Sequence, residues 1–343
     1  MLPLEIYRPI FRWISDRPTL VSLSVVSKFF KDEAQKLLYH SFASDSASAH
    51  IRFLVNIVQY PHLALLVRSY MLYKDVDKAI YNPIFIAGLK AMKNLKELYV
   101  GVPADGVDAL QLFNASQLRT CSFQLERFTW LIPLCEPAYN QSELLEFVLA
   151  QTLLQHFGAS FPVPSQHLVT PAHCPRLTSL DGDLNLIEAI MPSRNITTLT
   201  WNANHTEEHR EITHLKSYFE KVLAFAYGGY HRRRSLSVIA EYMPYLQTLE
   251  LFGLRSADPR SLSEFQHLRT LIISRTTGNL MLPLPLTEHN ALCDLIFSWT
   301  KSLQVIYITY FERGMYQMFY RDSPRVKLLS SEEVHAWWND ILF

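Results

Sequence analysis

Residues 243–251 read Met-Pro-Tyr-Leu-Gln-Thr-Leu-Glu-Leu. From Leu246 onward this is Leu-x-x-Leu-x-Leu, preceded by a proline lead-in. The same short pattern, with a polar or proline lead-in, recurs from about residue 60. Copies begin at Val67 (Val-x-x-Tyr-x-Leu), Leu95 (Leu-x-x-Leu-x-Val), Leu118 (Leu-x-x-Cys-x-Phe) and Leu144 (Leu-x-x-Phe-x-Leu). Further copies begin at Leu177 (Leu-x-x-Leu-x-Gly), Ile196 (Ile-x-x-Leu-x-Trp), Leu268 (Leu-x-x-Leu-x-Ile) and Leu303 (Leu-x-x-Ile-x-Ile). Alternating apolar residues over so short a run indicate a strand with one buried face. A unit of this size cannot bury that face alone, so successive copies must stack on a shared core.

Most separations between copies straddle the roughly 20–29 residues of a leucine-rich repeat. The gap of 50 residues between Ile196 and Leu246 has room for one degenerate copy. Return helices are predicted over Tyr81 to Ala91, His214 to Tyr227, Ser235 to Tyr242 and Asn290 to Ser298. The predicted fold class is therefore α/β, an irregular repeat solenoid with a curved parallel sheet. An unrelated α/β domain with amphipathic strands is the competing reading. The repeats lack the asparagine that regular copies place after the last leucine.

The N-terminal stretch differs. Pro3 suits the first position of a helix, where no N–H is needed, and Glu5 falls in its first turn. Ile6, Ile10, Trp13 and Ile14 then share one helical face. Ser15-Asp16-Arg17-Pro18 stops that helix. An apolar piece runs from Leu20 to Val26. Ser27 is a candidate cap for a third helix carrying Phe30, Ala34, Leu37 and Leu38. A helical cap on the following domain is the plain interpretation.

Composition narrows the function. Hydrophobic residues make up 49% and charged residues 19%, as in a globular chain with a sizeable core. The 32 basic and 32 acidic residues balance, which argues against a dedicated nucleic-acid or acidic-membrane binder. No apolar run approaches the roughly 18 residues needed to cross a bilayer. Pro3, Glu5, Arg8 and Pro9 interrupt the apolar core a signal peptide would need. The scattered Cys121, Cys135, Cys174 and Cys293 suit free thiols. The expected location is inside the cell, cytoplasmic or nuclear.

The order Leu2-Pro3, Leu20-x-x-Leu23-Ser24, Val26-Ser27-Lys28-x-Phe30 and Leu37-Leu38-Tyr39 resembles an F-box over residues 2 to about 42. The resemblance implies an F-box domain at 1–42 and a repeat domain at 43–343. F-box proteins plug into a cullin-type ubiquitin ligase through a Skp-family adaptor. The implied adaptor-facing residues are Leu2, Pro3, Ile6, Ile10, Leu20, Leu23, Val26, Ser27 and Phe30. The motif begins earlier in the chain than is usual in the family, so a late-starting sequence or a frayed first helix is expected. With the repeats, the chain looks like the F-box/leucine-rich-repeat proteins abundant in mushroom-type fungi. The Pro-His-Leu-Ala…Val-Arg-Ser stretch at 61–69 adds to that likeness.

In that family the repeats bind a protein substrate. The residues flanking the fourth-position apolar residue would form the ligand face. They are Glu97 and Tyr99, Thr120 and Ser122, Glu146 and Val148, Ser179 and Asp181, Thr198 and Thr200, Thr248 and Glu250, Thr270 and Ile272, and Val305 and Tyr307. This set has small polar and acidic residues and no Lys or Arg, which suits a neutral or basic partner. The resemblance implies a substrate receptor that is not itself an enzyme and needs no cofactor. A scaffold acting outside the ligase is the alternative.

Other features point to different chemistry or to capping. His205-Thr206-Glu207-Glu208-His209 matches the inverted zinc-protease pattern, which needs its residues on one helix. This makes a metal-dependent hydrolase a remote alternative. It sits in a polar connection where a solvated loop is expected, so no metal ligands are assigned. His231-Arg232-Arg233-Arg234-Ser235 reads as a solvated helix end, with a nuclear signal or a kinase site at Ser235 as the sharper options. Leu303 to Phe311 and Met315 to Arg321 predict a hairpin around Glu312-Arg313-Gly314. A final helix from Ser330, with Glu333 in capping-box position, carries Val334, Trp337, Trp338 and Ile341. It is predicted to cap the last repeat, or else to offer an aromatic surface to a substrate.

Overall fold

The structure is a computed structural model. It describes residues 4–14, 16–44, 46–72, 78–101, 115–131, 139–159, 170, 172–192, 194–204, 206–207, 209–229, 232–274, 286–309, 314–321 and 323–340. The protein is α/β and divides into two compact units. The first holds residues 1–154, 158–164 and 173–176, and the second holds 155–157, 165–172 and 177–343.

The first unit starts with three helices: α1 (Leu4–Arg12), α2 (Arg17–Leu23) and α3 (Lys28–His40). Asp16 caps α2 by accepting from the Thr19 N–H at 2.8 Å. Pro18 opens this helix rather than merely ending the previous one. Ser27 caps α3 through the Phe30 N–H at 3.2 Å. Phe11, Leu20 and Ala34 form a small core, with Tyr7, Ile14, Leu23, Phe30, Leu37 and Leu38 packed against it. The inward face of α1 is thus Tyr7 and Phe11, with Ile14 just beyond the helix end also turned to this core. Ile6, Ile10 and Trp13, expected on one apolar face with Ile14, point outward instead.

After α3 come β1 (Ser41–Ser44), α4 (Ala47–Gln59), α5 (Pro61–Ala64), β2 (Ser69–Leu72), α6 (Lys78–Ala91), β3 (Glu97–Val100), β4 (Arg127–Trp130) and α7 (Tyr139–Leu149). β1 to β4 pair in sequence order, all parallel and in register. Phe42, Tyr70, Leu98 and Phe128 therefore form one buried row. His50 ties this sheet to α4. Its Nε2 lies 2.8 Å from the Ser44 carbonyl and its Nδ1 2.9 Å from the Tyr70 hydroxyl. A carbonyl can only accept, so Nε2 carries the proton and Nδ1 accepts from Tyr70.

A strand β5 (His156–Ala159) is divided between the two units. The second unit continues with β6 (Ser179–Gly182), α8 (Leu184–Ile190), β7 (Thr198–Asn202), α9 (Lys216–Phe219), β8 (Ala224–Gly228), α10 (Leu236–Tyr242) and β9 (Thr248–Phe252). Then follow α11 (Asp258–Ser261), β10 (Thr270–Ser274), α12 (Leu286–Trp299), β11 (Val305–Thr309), β12 (Met315–Tyr320), β13 (Ser323–Ser330) and α13 (Ser331–Asp340). β6 to β11 are parallel, and β12 and β13 close the order antiparallel. Leu180, Leu199, Phe225, Leu249, Leu271 and Ile306 lie side by side and are fully buried.

One backbone device recurs in both units. The carbonyl just before a strand accepts two successive N–H groups leading into a following strand. Arg68 O takes Lys96 and Glu97, and Lys96 O takes Glu126 and Arg127. Likewise Thr178 O takes Thr197 and Thr198, Thr197 O takes Leu223 and Ala224, and Leu223 O takes Gln247 and Thr248. Gln247 O and Arg269 O continue the series.

Several expectations need correction. β8 fills the long gap, so the helix predicted over His214 to Tyr227 shrinks to short helical turns ending at Phe219. The copies at Leu118 and Leu144 are not strands. Ala115–Thr120 is a 3-10 helix, and Leu144 lies inside α7. The strand in that part of the chain is β4, whose Phe128 and Trp130 are buried, as is Leu125 two residues ahead of it. The hairpin forms between β11 and β12, with Gly314 at φ +80°, while β13 was not foreseen. The capping box also forms: Ser330 N–H donates to Glu333 Oε2 at 2.7 Å, and Glu333 N–H to Ser330 Oγ at 3.2 Å. No disulfide joins Cys121, Cys174 and Cys293; Cys135 lies outside the described residues.

His50 is fully buried and holds two elements through one ring. His50→Ala should cost about 2–4 kcal/mol in denaturant unfolding, from a lost pair of hydrogen bonds plus a cavity. An unchanged midpoint would show that the ring does not fasten α4 to the sheet.

Candidate functional site

Two surfaces carry the residues singled out in the sequence. The first is the outer side of α1 to α3. A three-helix segment has little interior to fill. Phe11, Leu20 and Ala34 take that interior, and other large apolar residues remain in solvent. Trp13 is 88% exposed, Val25 83% and Val26 63%. Ile6, Ile10 and Val21 are also exposed. Among the implied adaptor residues, Ile6, Ile10 and Val26 belong to this surface. Leu20 is in the core, Leu23 and Phe30 pack against it, and Ser27 is a helix cap. Leu2 and Pro3 lie outside the described residues. Val21 and Val25 belong to the apolar piece Leu20 to Val26 but are not among the residues that the F-box resemblance implies.

Glu33 stabilises the same segment. Arg8 and Lys36 lie 3.3 and 2.7 Å from its Oε1. Burial works to raise its pKa, but the two cations outweigh it and hold the carboxyl below its ordinary value. Further along, Asn56 donates to the Tyr39 hydroxyl, and the Tyr39 ring stacks on Phe53, fastening α3 to α4.

The second surface is the sheet face read as a ligand face. In the first unit Glu97 and Tyr99 lie in β3, partly exposed, with Arg127 and Thr129 as their neighbours in β4. Arg127 overturns the expectation of a face free of basic residues. Glu146 and Val148 leave the face altogether. They sit on α7, where exposed Glu146 pairs with Arg119 at 2.6 Å. Thr120 and Ser122 are not in a strand either.

In the second unit the register aligns two rows. One holds Ser179, Thr198, Ala224, Thr248, Thr270 and Val305, and the other Asp181, Thr200, Ala226, Glu250, Ile272 and Tyr307. The chain's own C-terminus covers part of this face. Ile272 packs with Tyr316, Met318, Leu329 and Val334, against Val305 and Tyr307. Glu250 is 4% exposed and accepts from Ser274 Oγ, with His335 Nε2 of α13 at 3.3 Å. Ser274 Oγ also meets the Tyr316 hydroxyl at 2.9 Å. Glu250 is therefore a latch for α13 rather than an open contact residue. α13 lies over the sheet face, where a cap on the last strand was expected. The side chains of Trp337 and Trp338, and Ile341, lie outside the description.

Two groups on this face have shifted acidities. Burial opposes the charged His335 imidazolium, but Glu250, by bonding and attraction, outweighs that and raises its pKa. Asp181 keeps some solvent access, yet burial of its carboxyl pushes its pKa up to about 7. The Asn202 amide, 2.9 Å away, only partly offsets this.

The remaining motifs resolve into structure. Residues 206, 207 and 209 form turns, and His205 and Glu208 lie outside the described residues. Glu207 is buried and accepts from Trp201 Nε1 at 2.8 Å and Leu184 N–H at 3.0 Å, which makes it a loop anchor. Burial raises its pKa against those donors. Among the described residues no group of three or more His, Cys, Asp or Glu is placed to hold a metal. The arginine run is not a solvated helix end. Arg233 is buried and paired with Asp258, Arg234 is partly buried, and Arg232 alone of the three is exposed. Ser235 caps α10. Among the described residues no helix is long and apolar enough to cross a membrane. No protein-family model matches the chain, and no curated protein matches it.

A group with a raised folded pKa adds stability that is full below its unfolded pKa and is lost as pH rises through the folded one. For Asp181 that window runs from 3.8 to about 7. Stability is expected to fall with rising pH across it. Asp181→Asn should gain roughly 1–2 kcal/mol at pH 8, discounted for partial solvent access, and little at pH 4. Equal gains at both pH values in thermal unfolding would refute the assignment.

Proposed function

We propose that this chain is the substrate-recognition subunit of a Skp–cullin–F-box ubiquitin ligase. The observation that carries the reading is the exposure of six large apolar residues, Ile6, Ile10, Trp13, Val21, Val25 and Val26, on one short segment that has its own core. So many exposed apolar residues in so short a stretch support an interaction site. The order of Leu-Pro, Leu-x-x-Leu-Ser and Val-Ser-Lys-x-Phe names the adaptor as its occupant. The parallel strands and their recurring two-donor carbonyls support an irregular leucine-rich-repeat array behind it. In this reading the target protein binds the open part of the sheet faces, around Glu97 and Tyr99 and around Asp181 and Thr200. The chain contributes proximity, and the transfer chemistry belongs to other subunits.

Co-expression with a Skp-family adaptor, followed by pull-down, tests the docking half. The variant pair Val25→Asp/Val26→Asp alters exposed residues and should leave the fold intact. Leu20→Ala would damage the core and is the poorer probe. Stoichiometric capture by the intact chain, reduced about tenfold or more in the pair, is the expected result. A folded chain that captures no adaptor sinks the ligase reading, and adaptor capture that never brings cullin would leave a scaffold outside the ligase.

A further inference from the structure

The C-terminus of the second unit folds back on its own sheet. α13 sets Val334 and His335 over the row that runs from Asp181 to Tyr307. Val334 is buried in one cluster with Ile272, Tyr316, Met318 and Leu329. In that row Asp181 and Thr200 keep solvent access, whereas Glu250 and Ile272 do not. The start of the helix is pinned by the Ser330–Glu333 capping box and by the Ser331 N–H, which donates to the Gly314 carbonyl at 2.6 Å. One turn further on, His335 Nε2 lies 3.3 Å from Glu250 Oε1 and ties α13 to β9.

That tie has a fixed proton count. His335 Nδ1 lies 2.8 Å from the Ser331 carbonyl, which can only accept, so Nδ1 carries a proton. Nε2 faces a carboxylate oxygen, which when ionised also only accepts. Both bonds form together only when the ring holds two protons. A neutral ring protonated at Nδ1 turns the Nε2 lone pair on the Glu250 carboxylate. Taking the shared proton away breaks the bond whichever partner held it. Glu250 is 4% exposed, so water is poorly placed to replace the lost donor. Its other donor is Ser274 Oγ, whose single proton is thereby used, so Tyr316 donates to Ser274.

Among the described residues, the titratable groups facing the ring are Glu250 on β9 and Tyr316 on β12, whose ring meets the imidazole edge-on at 5.6 Å. β10 contributes the Ser274 hydroxyl, and Tyr307 of β11 packs against the apolar cluster. Glu332 and Glu333 on α13 and Lys327 on β13 are exposed. Burial raises the pKa of Tyr316 and of Tyr307 above the ordinary 10.0, so both stay neutral. Burial opposes the His335 imidazolium, but Glu250 outweighs it and raises the pKa above the ordinary 6.5. The contribution of the bond to docking is therefore full below 6.5 and is lost as pH rises through the raised value.

We propose that α13 is a proton-held strap over the sheet face of the second unit, docked while the His335–Glu250 bond keeps its proton and released when that proton leaves. Release adds Glu250 and Ile272 to the exposed part of the face. The proposal does not rest on the ligase reading, because it concerns only how the unit covers its own face.

Hydrogen–deuterium exchange of the full chain, corrected for the intrinsic pH dependence of amide exchange, tests it. The readout is the protection of the α13 amides beside that of β8, which reports whether the sheet itself stays folded. The expected result is α13 protection that falls about tenfold between about pH 6 and pH 9, the loss of one charge-assisted hydrogen bond, while β8 stays protected. Glu250→Gln keeps the shape of the side chain and offers an amide N–H to the Nε2 of a neutral His335. In that variant the fall should shrink to about twofold or less. The titration of Asp181 is common to both chains and cancels in the comparison. If a thermal melt shows Glu250→Gln to be unfolded, His335→Ala, at a partly buried position, takes its place. Low α13 protection that no longer changes with pH is then expected. α13 protection that is indifferent to pH in the unaltered chain, or the same fall in that chain and in the folded variant, would overturn the proposal.

Discussion

Most of the parallel strands in both units start from a carbonyl that is already shared. The residue just ahead of a strand presents its oxygen to two consecutive N–H groups of a later strand, as Leu223 does for Gln247 and Thr248. A carbonyl has two lone pairs, so both are used and neither donor is stranded. The consequence is register. Once the first rung is fixed, every strand begins level with its neighbour, and side chains fall into rows across the sheet. The buried row from Leu180 to Ile306 and the acidic and polar row beside it both follow from that rung. Connections of very different length can then be inserted on the return side without moving a strand. This is why a chain with unevenly spaced strands still lines them up in register.

The same rung explains what was legible in the sequence. The first apolar position of the pattern sits two residues ahead of each strand, closing the turn that presents the rung. Leu95, Leu177, Ile196, Leu246, Leu268 and Leu303 occupy it and are buried. Strands with at least one aliphatic inward position after the lead residue, such as β2 with Tyr70 and Leu72 and β7 with Leu199 and Trp201, were found. β4 and β8 were missed, because Leu125-x-x-Phe128-x-Trp130 and Val222-x-x-Phe225-x-Tyr227 carry aromatics at both positions and match the template only if large rings count as leucine. They do count physically, since an aromatic ring fills the same interior space. The false copy at Leu144 arises from the opposite ambiguity. Leu144, Phe147 and Val148 are three and four apart, which also describes one face of a helix, and the chain uses them that way in α7.

The candidate surfaces were less legible than the fold, for a reason of range. Which face of a strand is polar can be read locally. Whether that face is open depends on segments far along the chain. Glu250 reads as an exposed acid in the ligand row, but α13 returns more than eighty residues later and sets His335 beside it. The arginine run shows the same limit. Three consecutive arginines suggest a solvated end, yet Asp258, Trp201 and several carbonyls from other loops draw two of them inward. Pattern reading works where partners are sequence neighbours and fails where the partner is supplied by another turn of the sheet.

The N-terminal helices follow the opposite logic. Nothing in their own packing needs Trp13, Val25 or Val26 to be apolar, because Phe11, Leu20 and Ala34 already fill the interior. Large apolar side chains left in water at such density gain nothing for the isolated segment. The salt bridges of Glu33 and the Tyr39–Asn56 bond hold the helices firmly to one another and to α4, so the surface is presented on a rigid base. A rigid apolar surface loses less entropy on docking than a floppy one. The residues that a core does not require are the ones whose chemistry the proposed adaptor docking would explain.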